Sequence, residues 1–194
     1  MNARLKPLRI LRWSTVAMVL LATACAAPKS YQNRDMDFGA INSVAVMPFW
    51  NLSQDHVAAE RVRDVFSNAL LATDAVYVLP PGEVARAIAR TAIVNPSTPS
   101  AEEVVKLGGL LKVDAIVTGV LKEYGEVRTP SASANVISFS VQMYETSTGK
   151  VIWSASSTKG GIGWAARLLG TATGEPMNEL TEQAVDDVIT RLFK

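Results

Sequence analysis

From residue 43 onward the chain alternates short apolar runs with amphipathic stretches. Val44, Ala45, Val46 and Met47 are apolar on both alternating faces, the pattern of a strand buried between two layers, and Pro48 predicts its end. Residues 51–54 are polar, and Asp55 is placed to cap the next segment. Val62, Val65, Phe66, Ala69 and Leu70 then recur at helical spacing. Residues 76–79 predict a second strand, stopped by Pro80 and Pro81, and residues 83–90 a short helix with Val84 and Ile88 on one face. After a loop over 95–99, Ser100 and Glu103 form a capping box ahead of Val104, Leu107 and Leu111. Gly108 and Gly109 weaken the end of that helix. Residues 115–121 predict a third strand, again apolar on both faces.

The order so far is β-α-β-α-α-β, which implies parallel strands joined by crossover helices. The second half follows a different rule. Ile137, Phe139, Val141 and Met143 alternate with Ser138, Ser140 and Gln142, so this strand has one wet face. Thr146, Ser147, Thr148 and Gly149 supply turn chemistry before Val151, Ile152 and Trp153 begin the returning strand of a hairpin. Leu180, Ala184, Val188 and Leu192 mark a closing amphipathic helix. The fold class these elements predict is α/β (α+β-like): one mixed parallel and antiparallel sheet of about five strands with helices packed on it. There are no internal repeats.

The first 25 residues have different chemistry. Arg4, Lys6, Arg9 and Arg12 precede an apolar run over residues 13–21, and Ala22, Thr23, Ala24 and Cys25 follow. A basic segment, a short apolar core and a small-residue cleavage site make a secretory signal peptide. The apolar run falls short of the roughly 20 residues that span a bilayer. Cys25 stands where a bacterial lipobox places its acylated cysteine; an uncleaved signal anchor and an ordinary signal with a free Cys are the alternatives. The lipobox pattern has Leu three positions before the Cys, and here Ala22 holds that place with Leu21 one step earlier. Lipidation of Cys25 with palmitate-type acyl chains would anchor the chain stably, because such anchoring needs more than one chain. Ala26, not Asp, follows the Cys, which in lipoproteins favours the outer membrane. The expected organisation is a signal peptide over 1–24, a lipidated Cys and tether over 25–41, and a single α/β domain over 42–194. As a random coil, a tether of about 16 residues reaches about 20–25 Å.

Composition narrows the functions. The chain has 194 residues, 48% of them hydrophobic and 19% charged, which excludes disorder throughout. Removing residues 1–24 takes four of the 19 basic residues and none of the 18 acidic ones, leaving 15 against 18, a net charge of −3. Such a balance offers nucleic acid no electrostatic footprint, so no nucleic-acid partner is expected. One Cys excludes an internal disulfide and multi-Cys zinc sites, and one His excludes His-pair metal sites. No catalytic residues, metal or cofactor are expected.

Four segments remain as candidate sites. Gly161, Ile162, Gly163 and Ala166 fit a dinucleotide-loop pattern, but only one helix remains after it and Trp164 sits inside it. A better reading groups Ile162, Trp164, Arg167, Leu168 and Leu169 as a membrane or subunit contact, since exposed apolar groups mark partners or membranes; the alternative is a flap folded back on the core. Trp50, Asn51 and Leu52 follow the first strand at the carboxyl edge of the sheet, where a partner loop is one reading and a shield for the sheet edge the other. His56, beside Asp55 and near Ser53, reads as a solvated neighbour of a helix cap, because triads are assembled from separate elements. Glu179, Glu182, Asp186 and Asp187 have no metal-ligand spacing to any His and read as the solvated face of the last helix.

Three stretches carry a family resemblance. The run from Ser43 to Ser53 resembles the first strand and loop of lipoproteins of the curli-secretion (CsgG) type, whose fold is shared by the amino-terminal domain of TolB and by LpoB-type lipoproteins. Residues 113–119 match a second strand of that family, and residues 141–153, with Thr148, Gly149, Val151 and Trp153, match its hairpin. The resemblance implies a TolB amino-terminal, anticodon-binding-like fold without enzymatic activity, lipid-anchored to the bacterial outer membrane and facing the periplasm. It also implies partners among envelope proteins, including other copies of the chain as a homo-oligomer. The curli channel inserts long amphipathic hairpins; here residues 121–134 are interrupted by Glu123, Glu126, Arg128 and Pro130, which argues against a pore and for a PelC-type export accessory. A monomeric regulator that activates a peptidoglycan synthase, of LpoB type, is the alternative, and a short tether favours the membrane-proximal role.

Overall fold

The computed structural model describes residues 30–130, 132–163 and 174–193. Seven strands form one sheet: β1 (Ser30–Gln32), β2 (Ser43–Val46), β3 (Trp50–Asn51), β4 (Tyr77–Val78), β5 (Ala115–Thr129), β6 (Ala132–Glu145) and β7 (Val151–Gly160). Four helices pack on it: α1 (Ala58–Ala72), α2 (Pro81–Arg90), α3 (Ala101–Leu111) and α4 (Met177–Leu192). The strand order is β1-β7-β6-β5-β2-β4, with β3 also on β5. Strands β2, β3, β4 and β5 pair in parallel, and β5, β6, β7 and β1 pair antiparallel, so the mixed sheet is as the hydrophobic pattern predicts.

The helices flank both faces because the two crossovers run across the sheet in opposite directions. The first, through α1, reaches β4 on one side; the second, through α2 and α3, passes over β2 to reach β5 on the other. Right-handed crossovers running in opposite directions place their helices on opposite faces. One face carries α1 and α4 over Val44, Val46, Phe49, Val117, Phe139 and Trp153. The other carries α2 and α3 over Ala45, Met47, Ile116 and Leu79. Local chemistry sets the helix ends. Pro80 and Pro81 both stop β4 and open α2, since a proline suits the first helical turn. The capping box is present, with Ser100 N donating to Glu103 Oε2 at 2.7 Å and Glu103 N to Ser100 Oγ at 3.3 Å. Helix α3 runs through Gly108 and Gly109 to a left-handed Lys112; a Cβ on Gly108 would lie 2.2 Å from the Thr146 Cβ, so this glycine admits the neighbouring turn.

Two expectations need correction. There are seven strands and not five, because β1 lies inside the expected tether and β3 inside the expected loop. Both are held by backbone pairing, which leaves no hydrophobic pattern to read. Pro48 falls at the break that the sequence predicts, since β2 ends at Val46 and β3 begins at Trp50. Residues 47–49 oppose only Thr118 and Gly119, a bulge that absorbs the missing proline N–H, and pairing resumes with Trp50 opposite Val120. Finally, residues 121–134 do form a hairpin: β5 and β6 stay paired out to Thr129 opposite Ala132, past a bulge between Leu121 and Glu123. Since β7 ends at Gly160 opposite Val136, the tip extends about 13 Å beyond it at 3.3 Å per residue. Lys122, Glu123, Glu126 and Arg128 are exposed along the ribbon, so it lacks the continuous apolar face that a lipid-spanning strand requires. Among the described residues, no helix is long and apolar enough to cross a membrane.

Candidate functional site

The register of the sheet collects the candidate segments at one end. Strand β7 runs toward Gly160, and β1 lies antiparallel to it, Ser30 opposite Ala155 and Gln32 opposite Trp153. The chain therefore arrives at Ser30 from the Gly160 end. Trp50 and Asn51 pair with Val120 and Leu121, which stand level with Ser140 and Phe139 and, one strand further, with Ser156 and Ser157. The hairpin tip projects from this same end. The start of β1, the end of β7, the Trp50 segment and the ribbon thus lie toward one end of the sheet.

The connection after β7 is gripped at both stems by Asn135. The Gly161 N–H donates to the Asn135 carbonyl at 2.8 Å, and Asn135 Nδ2 donates to the Glu175 carbonyl at 2.9 Å. Gly160 must be glycine here: its φ is +76°, and a Cβ would lie 2.1 Å from the Asn135 oxygen. Ile162 leaves the sheet half-buried. Trp164, Arg167, Leu168 and Leu169, as well as Cys25, lie outside the described residues.

Within the Trp50 segment the three residues divide. Trp50 is 42% exposed and Leu52 59%, side chains free to meet a partner. Asn51 instead builds the turn, its Oδ1 accepting from Ser53 N at 2.9 Å and Ser53 Oγ at 2.7 Å while its Nδ2 donates to the Asp55 carbonyl at 2.7 Å. Ser53 is thereby committed to Asn51, and Asp55 Oδ1 accepts from Val57 N at 3.0 Å, so Ser53, Asp55 and His56 make no triad.

The last helix departs from its expected pattern at Asp187. Glu179, Glu182 and Asp186 are exposed, but Asp187 is turned to the sheet. Its Oδ2 accepts from Ser157 Oγ at 2.7 Å and from Arg191 Nη2 at 2.5 Å, with Lys159 Nζ at 3.9 Å. Burial would raise the Asp187 carboxyl, but the bonds from Ser157 and Arg191, and the charges of Arg191 and Lys159, outweigh it and hold it below its ordinary value. The spacing holds the signal: Asp187 falls three residues after Ala184 and four before Arg191, on the buried stripe.

A second polar anchor lies at the opposite end of the sheet. Asp114 Oδ2 accepts from Asn42 N at 2.9 Å, Ser43 N at 3.0 Å and Ser43 Oγ at 2.9 Å. These bonds, led by that from Asn42, hold the carboxyl below its ordinary value against a smaller burial effect. At the β2 bulge, Arg63 Nη2 and Nε donate to the Val46 carbonyl at 2.8 and 3.2 Å, satisfying a group that short β4 does not reach. An apolar cleft of about 420 Å³ opens near Phe38, Val76, Met143 and Leu192, and its lining includes no ionisable side chain. Among the described residues no group of His, Cys, Asp and Glu could hold a metal ion.

Residues 37–186 match the model of the GNA1162-like lipoproteins. The chain belongs to that family. Among solved structures it is similar to lipoprotein GNA1162 from Neisseria meningitidis, at 20% identity and a TM-score of 0.57, over 78% of this chain and 98% of that one. It is also similar to the PelC dodecamer from Paraburkholderia phytofirmans, at 14% identity and a TM-score of 0.54, over 86% of this chain and 96% of that one. The LpoB carboxy-terminal domain from Salmonella enterica overlays at a TM-score of 0.47 and 12% identity, over 74% of this chain and 91% of that one. No curated protein matches the sequence. At these identities the likenesses to GNA1162 and PelC establish the fold alone.

Proposed function

We propose that this protein is a non-enzymatic lipoprotein, held by acyl chains on Cys25 to the periplasmic face of the bacterial outer membrane. There it works as a ring-forming accessory subunit of an envelope export or assembly complex. The observation that carries this reading is the direction of β1. It brings the chain from the Cys25 side into the sheet at the end where Ile162 and Trp50 lie. Only residues 26–29 separate Cys25 from Ser30, a span of at most about 18 Å at 3.3–3.6 Å per residue. A lipid on Cys25 would therefore hold that end, where Ile162 lies, close to the bilayer, and the contact is proposed for Ile162, Trp164, Arg167, Leu168 and Leu169. The membrane or a neighbouring subunit is then within reach of that segment, while a distant synthase across the wall is not. The dodecamer formed by PelC, a chain of the same fold, supports the ring.

The mass of the detergent-solubilised mature lipoprotein, measured by light scattering with Trp164→Ser alongside, tests this. A discrete assembly weakened by the substitution is the expected result. A monomer unaffected by it would overturn the ring and leave the synthase regulator as the better reading.

A further inference from the structure

The two helical layers carry opposite charge on their outer sides. On α4, Glu179, Glu182 and Asp186 recur at i, i+3 and i+7, forming one exposed acidic stripe, and α1 beside it adds exposed Glu60 and Asp64. The basic residues of this layer are spent elsewhere: Arg61 on Asp55, Arg63 on the Val46 carbonyl and Arg191 on Asp187 and the Ser156 carbonyl. On the opposite face of the sheet, Arg86 and Arg90 of α2 stand one turn apart and line, with Glu83 and Ala87 of the same helix and Leu110 and Leu111 of α3, a cleft of about 200 Å³. Lys106 of α3 is also exposed, as is Leu110 at 43%. Glu83 and Glu102 are the exposed acids of this layer, against exposed Arg86, Arg90, Lys106 and the capping Lys112. Among the described residues, none of the acidic stripe and none of Arg86, Arg90 and Lys106 has an ion-pair partner.

The basic layer also covers only half of its face. Helices α2 and α3 pack over β2 and the start of β5, and of the antiparallel half only Tyr144 joins their core. Beside them the same face of β6 and β7 presents Ser138, Ser140, Gln142, Ser154, Ser156 and Thr158, with Gln142 and Thr158 exposed. The result is a step: a basic, partly apolar wall standing on a floor of hydroxyls. Hydroxyl and guanidinium groups are donors, and carboxylates are acceptors only.

We propose that copies of this chain associate head to tail, the acidic α1 and α4 layer of one seated on the basic step of the next. Charge complementarity of this kind selects the partner and fixes register more than it adds affinity. The contact is heterologous, since two different surfaces meet, and such contacts propagate into a closed ring or an open filament. Because the two surfaces lie on opposite faces of one sheet, each copy can make both contacts at once, as a ring requires. The contacts also lie at the sides of the molecule, so every copy can direct its Ile162 end to the same membrane. This inference deepens the ring reading and rests on it.

The test uses the mature lipoprotein in detergent, with mass read by light scattering at low and high salt. Arg86→Glu with Arg90→Glu, and separately Glu179→Arg with Glu182→Arg, are each expected to reduce the assembly to single copies. An equimolar mixture of the two variants restores complementarity at every contact, and is expected to recover the assembly that neither forms alone. High salt is expected to weaken the wild-type assembly, because exposed charges are screened. If either variant keeps the wild-type mass, or if the mixture stays monomeric, this contact is overturned while the ring reading stands. If the wild-type protein is itself monomeric, both fall together.

Discussion

Ser43, the first residue of β2, and Asp114, the residue just before β5, grip each other at the start of two neighbouring parallel strands. Ser43 Oγ donates to Asp114 Oδ2 at 2.9 Å, and the Asp114 N–H donates back to Ser43 Oγ at 3.1 Å. The same carboxylate takes the N–H groups of Asn42 and Ser43. One side chain thereby closes the start of β2 against the start of β5 and fixes their register, which in turn sets where Trp50 meets Val120.

Asp114→Ala is expected to cost about 1–3 kcal/mol, the range for leaving donors unpaired, read as a lower urea midpoint with an unchanged slope. The sign of the pH effect follows from the depressed carboxyl. Its folded value lies below the unfolded one of about 3.9, so its stabilisation is present above that pH and is lost as the pH falls through the folded value. Asp114→Asn should therefore lower stability at neutral pH and flatten the acid limb of the curve. An unchanged acid limb would show that Asp114 contributes nothing to it.

Phe49 lies over Gly119, where an added Cβ would come within 2.7 Å of three ring carbons. The ring is buried, held at the bulge by Pro48, and packs on Phe66 with centroids 5.9 Å apart. It has nowhere to retreat. Gly119→Ala is expected to destabilise by about 1–3 kcal/mol through overpacking, lowering Tm by several degrees. Combining it with Phe49→Leu should recover part of that loss in a double-mutant cycle. Purely additive losses would show that the two positions do not meet.

These pairs show what was readable in advance. The capping box at Ser100, the period of Val62, Phe66 and Leu70, and the alternation from Ile137 to Met143 state their own geometry, because burial demands apolar side chains at fixed spacing. Strand β1, strand β3 and the outer ribbon had no such signal. Their order comes from backbone groups finding partners, which polar sequence neither requires nor forbids. The candidate contact end was half legible: Ile162, Trp50 and Leu52 stand out as misplaced apolar residues, but their convergence depends on strand register. Asn135, which grips the nearby connection, has nothing in its sequence neighbourhood to mark it.

Asp187 is expected to behave as a structural anchor. Asp187→Asn removes the carboxylate from Ser157, Arg191 and Lys159 together. Bonds to charged groups are worth about 1.5–3 kcal/mol, so a loss in that range is expected at pH 7. As with Asp114, the folded value is depressed, so the difference between wild type and variant should shrink as the pH falls below about 4. Denaturation midpoints at pH 7 and pH 3 measure it. An equal difference at both would remove the charge from the explanation.

Asn135 offers the means to separate the fold from its candidate docking segment. Its carbonyl holds Gly161 and its side-chain amide holds the Glu175 carbonyl, but only the second bond depends on the side chain. Asn135→Ala therefore releases the return stem at Glu175 and leaves the departing stem at Gly161 pinned. Asn135 lies where β6 extends past the last β7 pairing, at Val136 opposite Gly160, so the core beneath loses no contact and Tm should change by only a few degrees. The local effect should be larger. Amide exchange at Leu180, whose N–H is donated to the Pro176 carbonyl beside the released Glu175, should accelerate about tenfold, the factor equivalent to one lost hydrogen bond of roughly 1.4 kcal/mol, while exchange in β2 and α1 stays as in the wild type. If the segment after β7 meets a membrane or a neighbour, loosening its return stem should weaken assembly without unfolding the domain. Assembly lost in step with global stability would instead assign Asn135 to the core.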